Sequence, residues 1–251
     1  MKNITILFLT IILFACGYQS PRDKFQKELI TSDNDSLCIK DIEKAKTDVK
    51  KGRIVFCMPM YPMSDLLRNE KQIKQLCKKN NIVFDYEIFS DVISFGQTQG
   101  CYAAYMDKII AEKFGSNFKE KLLLQANNIL LSSTDTINYS QCDNKPRILG
   151  KGEVSTLEVK LNNKLSKQLK SDNKGHLPFM GICFYIDKNG NPSGYFLNFF
   201  SDADNRSNEK FKDELFKAGV KSLRQYKHWE PGRVKGQKVN TENNVRVYFL
   251  K

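Results

Sequence analysis

The residue order Trp229-Glu-Pro-Gly-Arg-Val-Lys-Gly-Gln-Lys-Val leaves the backbone few paths. A large ring followed two residues later by Pro231-Gly232 stops any preceding helix, and Gly236 within a basic stretch provides a second reversal. Val245-Arg-Val-Tyr-Phe-Leu then runs with a period of two, the pattern of a strand with one buried face. A helix that ends abruptly, a crossover and a strand together require a sheet to join.

The residues upstream predict that sheet. After Pro178 the run Phe-Met-Gly-Ile-Cys-Phe-Tyr-Ile is β-prone, Asp187-Lys-Asn-Gly-Asn-Pro forms a turn centred on Asn189-Gly190, and Tyr195-Phe-Leu-Asn-Phe-Phe returns as the second arm of a hairpin. Ser207 or Asn208 is placed to cap a helix with Glu209 in its first turn. Phe211, Leu215, Phe216, Gly219, Val220, Leu223 and Tyr226 recur on one helical face. The predicted order is strand, strand, helix, strand.

From about Gly150 to Lys251 this pattern resembles the C-terminal domain of TonB-family proteins. The resemblance rests on the strand ending Phe-Tyr-Ile-Asp-Lys-Asn-Gly, the amphipathic helix, Trp229 with Pro231 and Gly232, Gly236 with Val239, and a strand closing on Phe249. It implies an α+β fold with a β-β-α-β C-terminal domain. Domains of this family bind short extended segments of outer-membrane transporters, which add to an exposed sheet edge. Backbone hydrogen bonds then supply affinity and alternate side chains supply selectivity. Carried over to this chain, that edge is Asn244, Val245, Arg246, Val247, Tyr248 and Phe249. Trp229, Pro231, Gly232 and Gly236 are the structural signature, with the ring packing under the sheet and Pro-Gly enforcing the turn.

The opposite end of the chain predicts location. Met1-Lys-Asn is a basic start, and Ile4 to Phe14 is apolar but shorter than the roughly 18 residues that cross a bilayer, so the segment reads as a signal peptide. It ends in Leu13-Phe-Ala-Cys16-Gly, which resembles a bacterial lipobox, although Phe14 is bulkier than the usual occupant of its position. A small residue before the cysteine suits the peptidase, and the Cys16 thiol takes the lipid. The predicted organisation is a signal peptide at 1–15, a polar tether at 16–24, a mixed, helix-rich α/β N-terminal domain at 25–147 and the TonB-like domain at 148–251. The expected location is the cell envelope, facing the periplasm and membrane-anchored through Cys16.

A TonB energy transducer carries an uncleaved membrane helix and a long proline-rich spacer. Here the apolar start resembles a lipoprotein signal and the seven prolines are dispersed. The favoured function is therefore a non-catalytic lipoprotein that docks an extended segment of an envelope or outer-membrane protein. An energy transducer with an atypical anchor is the first alternative.

The precursor carries a net charge of +12, and loss of Lys2 alone with the signal leaves +11. That balance favours anionic surroundings, but lysines such as Lys210, Lys212, Lys217 and Lys221 read as a solvated helix face. No nucleic-acid recognition motif is present. Six cysteines follow Cys16, namely Cys38, Cys57, Cys77, Cys101, Cys142 and Cys183, and the spacing leaves their pairing open. One disulfide is expected within the N-terminal part. Cys57 and Cys183 sit in apolar runs as small buried hydrophobes.

In the N-terminal domain, helical spacing covers Asp23 to Lys51. Ile54-Val-Phe-Cys-Met and Ile82-Val-Phe-Asp-Tyr-Glu-Ile-Phe read as strands around a helix from Ser64 to Lys79, and helices are predicted at 102–114 and 118–131. The polar segment 132–145 marks the boundary. Cys101 could open a helix as a thiolate nucleophile, with His176 or His228 as base, which makes a thiol-dependent enzyme the second alternative. Nothing in the sequence ties either histidine to it. The pairs Asp33/Asp35 and Asp202/Asp204 read as cap or turn residues. No metal site, phosphate loop or cofactor motif is visible, so no cofactor or metal is expected.

Overall fold

The computed structural model describes residues 35–202 and 206–251. The chain is a mixed α and β fold divided into two compact units.

The first unit comprises the described residues up to Ser64 together with Cys77–Lys119. Helix α1 (Ser36–Lys50) begins where the Asp35 carboxylate accepts a hydrogen bond from the Cys38 amide at 3.0 Å. Strands β1 (Val55–Met60) and β2 (Val83–Ile88) pair in parallel, as the β-α-β pattern predicts; of the helix between them, α2 (Glu70–Lys79), the part up to Leu76 belongs to the second unit. Helix α2 starts well after Ser64, because the Ser64 hydroxyl is engaged in a turn, donating to the Tyr61 carbonyl and accepting from its amide. Helix α3 (Cys101–Phe114) packs Tyr102, Ala103 and Met106 against Ala45, Val55 and Cys57. A Cys38–Cys101 disulfide joins the first turns of α1 and α3 across a Cα separation of 5.2 Å. Closing a loop of 63 residues contributes about 4 kcal/mol by the chain-entropy account. Gly115, at φ +95, ends α3 before α4 (Phe118–Ser132).

The second unit, Asp65–Leu76 with Glu120–Lys251, extends further upstream than the boundary expected at 147/148. The reason is β3 (Thr136–Asn138), inside the polar segment taken as a boundary, which buries Ile137 and joins the main sheet. After β4 (Arg147–Ile148) come β5 (Thr156–Lys160), the short helix α5 (Asn163–Gln168), and the antiparallel hairpin β6 (Phe179–Ile186) and β7 (Pro192–Ser201). Helix α6 (Lys212–Leu223) leads through β8 (Trp229–Glu230), β9 (Arg233–Val234) and β10 (Gln237–Lys238) into β11 (Asn240–Leu250). Neither proposed cap starts α6. The Asn208 side chain is buried between Asp202 and the Lys170 backbone, and a 3-10 turn at Glu209–Phe211 precedes the helix.

The sheet order is β3-β11-β6-β7, with β5 also on β11. Strand β11 pairs antiparallel with β6 on one side and in parallel with β3 and β5 on the other. The run Asn244 to Phe249, expected to be an exposed edge, therefore lies largely inside the sheet. Beside it sits β5, whose buried Leu157 and Val159 alternate with exposed polar residues; that strand was not predicted. One face of the sheet carries Met180, Ile182, Phe184, Ile186, Val245, Val247 and Phe249 against Leu215, Val220 and Leu223 of α6. Each fully buried side chain of this size contributes about 1.5–3 kcal/mol. Gly219 lets the helix lie close, since a Cβ there would come within 2.6 Å of Ile182.

Trp229 is buried in this core, edge-on to Phe184 at 5.2 Å, and donates from Nε1 to the Tyr226 carbonyl at 3.0 Å. Pro231 and Gly232 are buried after it, and a Cβ on Gly232 would lie 2.5 Å from Thr241. Lys235 and Gly236 both have positive φ in the two-residue turn between β9 and β10, the conformation that such hairpins require.

Candidate functional site

With β11 in the interior, the sheet has two edges, the short strands β3 and β5 on one side and the ten-residue β7 on the other. Strand β7 pairs with β6 on one side, and on its other side no strand pairs with it among the described residues. Its register against β6 shifts at two places, so the strand bends instead of presenting a flat ladder.

A groove of about 890 Å³ runs between the start of β7 and α6. Asn191, Pro192, Ser193, Gly194 and Tyr195 line one wall. The pattern of α6 builds the other. Leu215, Gly219, Val220 and Leu223 turn to the core, which brings Lys217, Lys221 and Arg224, at i, i+4 and i+7, to the neighbouring stripe, and Lys227 follows in the turn beyond. All four cations are exposed, and none is ion-paired with a described carboxylate. The Arg224 guanidinium lies 5.6 Å from the centroid of the Tyr195 ring. Burial pushes the Tyr195 hydroxyl's pKa above its ordinary value, and Arg224 partly opposes that shift.

The opposite face of the sheet has an aromatic surface. Tyr185 and Phe196 sit 5.7 Å apart, each more than a third exposed, while Phe179 stacks on Tyr248 and meets Phe199 edge-on. Arg246 covers Phe179 and Phe199 at 5.6 and 6.0 Å.

The remaining sequence candidates separate clearly. Cys16 lies outside the described residues, as do Asp33 and Asp204. Asp35 is the α1 cap, and Asp202 accepts from Asn208. Cys101 is fully buried in its disulfide, so its sulfur carries no thiolate and the nucleophile reading loses its nucleophile. His176 instead pairs with Asp172 at 2.8 Å, and the His228 carbonyl accepts from Leu149. Cys57, Cys77, Cys142 and Cys183 are free and buried; burial pushes Cys57 and Cys77 up to about 12 and Cys142 to about 11, which leaves them unreactive. Among the described residues no group of three His, Cys, Asp or Glu side chains could hold a metal ion, and no helix is long and apolar enough to cross a membrane.

The first unit holds one dense polar cluster. The Tyr102 hydroxyl donates to Asp48 at 2.6 Å, and Arg53 reaches Asp48 at 2.7 Å and the Tyr102 oxygen at 3.2 Å. The Tyr102 bond holds the Asp48 carboxyl below the usual carboxylate range, with Arg53 assisting. These contacts tie the end of α1 to the start of β1 and of α3.

The chain matches no protein family, no curated protein and no solved structure. The functional reading therefore rests on its own geometry. The groove cations were missed because each lysine alone looked like a solvated residue; the signal that finds them is their helical spacing immediately beside the apolar stripe.

Proposed function

We propose that this chain is a non-catalytic envelope lipoprotein, anchored through Cys16, whose TonB-like C-terminal domain binds an extended segment of another envelope protein by strand addition. The docking strand is β7 in place of the Asn244–Phe249 run. The observation that carries this reading is a ten-residue strand with one side unpaired, flanked by a cationic groove on one face and aromatic rings on the other. The strand, strand, helix, strand order of β6, β7, α6 and β11 supports the domain assignment.

The test is site-specific photo-crosslinking in intact envelopes. A cross-linker at Asn198 on β7 should give a discrete adduct with an envelope protein, and one at exposed Lys210 should not. Equal labelling at both positions, or none at Asn198, would rule the docking edge out.

A further inference from the structure

We propose that the segment added to β7 alternates acidic and apolar residues, with its carboxylates against Lys217, Lys221, Arg224 and Lys227 and its apolar side chains beside Phe196. This rests on the reading of β7 as a docking edge and adds the chemistry of its occupant.

An added strand presents successive side chains to opposite faces of the sheet. On the α6 face those side chains meet four cations, none within ion-pair distance of a described carboxylate and none accompanied by an acidic residue in the groove lining. Cations in the last turn of a helix favour its dipole, but that accounts for Lys221 and Arg224 only and not for Lys217 and Lys227 facing the same groove. On the other face the added side chains meet exposed Phe196 and Tyr185, where apolar contact removes ring surface from water.

Spacing separates an extended guest from a compact anion. Lys217 and Lys221 are about 6 Å apart along the helix axis, with Arg224 about 4.5 Å further. Same-face side chains of an extended strand repeat at about 6.7 Å, a spacing comparable with that of the cation row and within the reach of flexible lysines. A single phosphate spans only part of that row. The bends in β7 blunt it against indiscriminate pairing, which leaves side-chain complementarity to select the guest.

The test measures binding of the mature chain to a fluorescent peptide of alternating Glu and Val. The comparison probes are the Gln-for-Glu peptide, a backbone N-methylated Glu/Val peptide and inorganic tripolyphosphate. The Glu peptide should bind about tenfold more tightly than the Gln peptide at low salt, and the advantage should shrink as ionic strength rises. Combining Lys217→Gln, Lys221→Gln and Arg224→Gln should bring the Glu peptide down to the Gln peptide's affinity with the circular dichroism spectrum unchanged. N-methylation should abolish binding. Equal affinity of Glu and Gln peptides would overturn the acidic assignment while leaving strand docking in place. Undiminished binding of the N-methylated peptide would overturn strand addition itself. Tripolyphosphate binding at least as tightly as the Glu peptide would make a compact anion the occupant and overturn the proposal.

Discussion

At the scale of single residues, Gly190 shows how closely the hairpin and the Trp229 segment are fitted together. Its φ is +87, and a Cβ there would sit 2.0 Å from the Trp229 carbonyl oxygen, while its own carbonyl accepts the Trp229 amide at 3.0 Å. Gly190→Ala therefore adds both backbone strain and a clash with backbone that cannot swing away, and it should cost about 3 kcal/mol. Urea unfolding midpoints of this variant and of Asn189→Ala would check it: the neighbouring change should cost less than about 1 kcal/mol, and equal losses would refute the fit. The importance of Trp229, Pro231, Gly232 and Gly236 was legible in the sequence because rings, prolines and glycines restrict the backbone locally. Which carbonyl meets Gly190 was not legible, since that contact joins positions far apart in the chain.

At the scale of elements, the placement of β11 separates what local pattern reveals from what it hides. The period-two run 245–250 identified a strand, and 179–186 with 195–200 identified a hairpin, because alternation is a property of a few consecutive residues. Position within the sheet depends on which other segments pair, and β3 and β5 are only three and five residues long, too short to register against their polar surroundings. Proline scanning tests the interior placement. An edge strand tolerates proline wherever its amide faces solvent, so of two consecutive positions one should survive. Val247 and Tyr248 each have partners on β6 and β5, so Val247→Pro and Tyr248→Pro should both prevent the second unit from folding, as read by loss of protection of Trp229 fluorescence from quenchers. Survival of either variant would return β11 to an edge.

At the scale of the whole molecule, acid should destabilise the protein through carboxylates held ionised in both units. The Tyr102 hydrogen bond lowers Asp48, the Lys71 hydrogen bond lowers Asp135, and the Lys235 amide followed by Arg68 lowers Asp143. The unfolded chain takes up protons near pH 3.9, roughly the free aspartate value, and the native state does so only at lower pH. Their stabilisation is thus complete above about pH 5 and is lost as the pH falls through the depressed native values. Thermal midpoints should be level from pH 7 to about 5 and then drop, with a shallower drop in Asp143→Asn; a flat profile down to pH 3 would contradict the assignment. The same interior position of β11 sets the order of events during synthesis. β3 lies about a hundred residues upstream of its partner, and β5 and β6 wait for the same strand. Until Asn240–Leu250 has been made, the emerging chain has a hairpin but no centre for it to join, so the second unit can assemble only after its last strand has been synthesised.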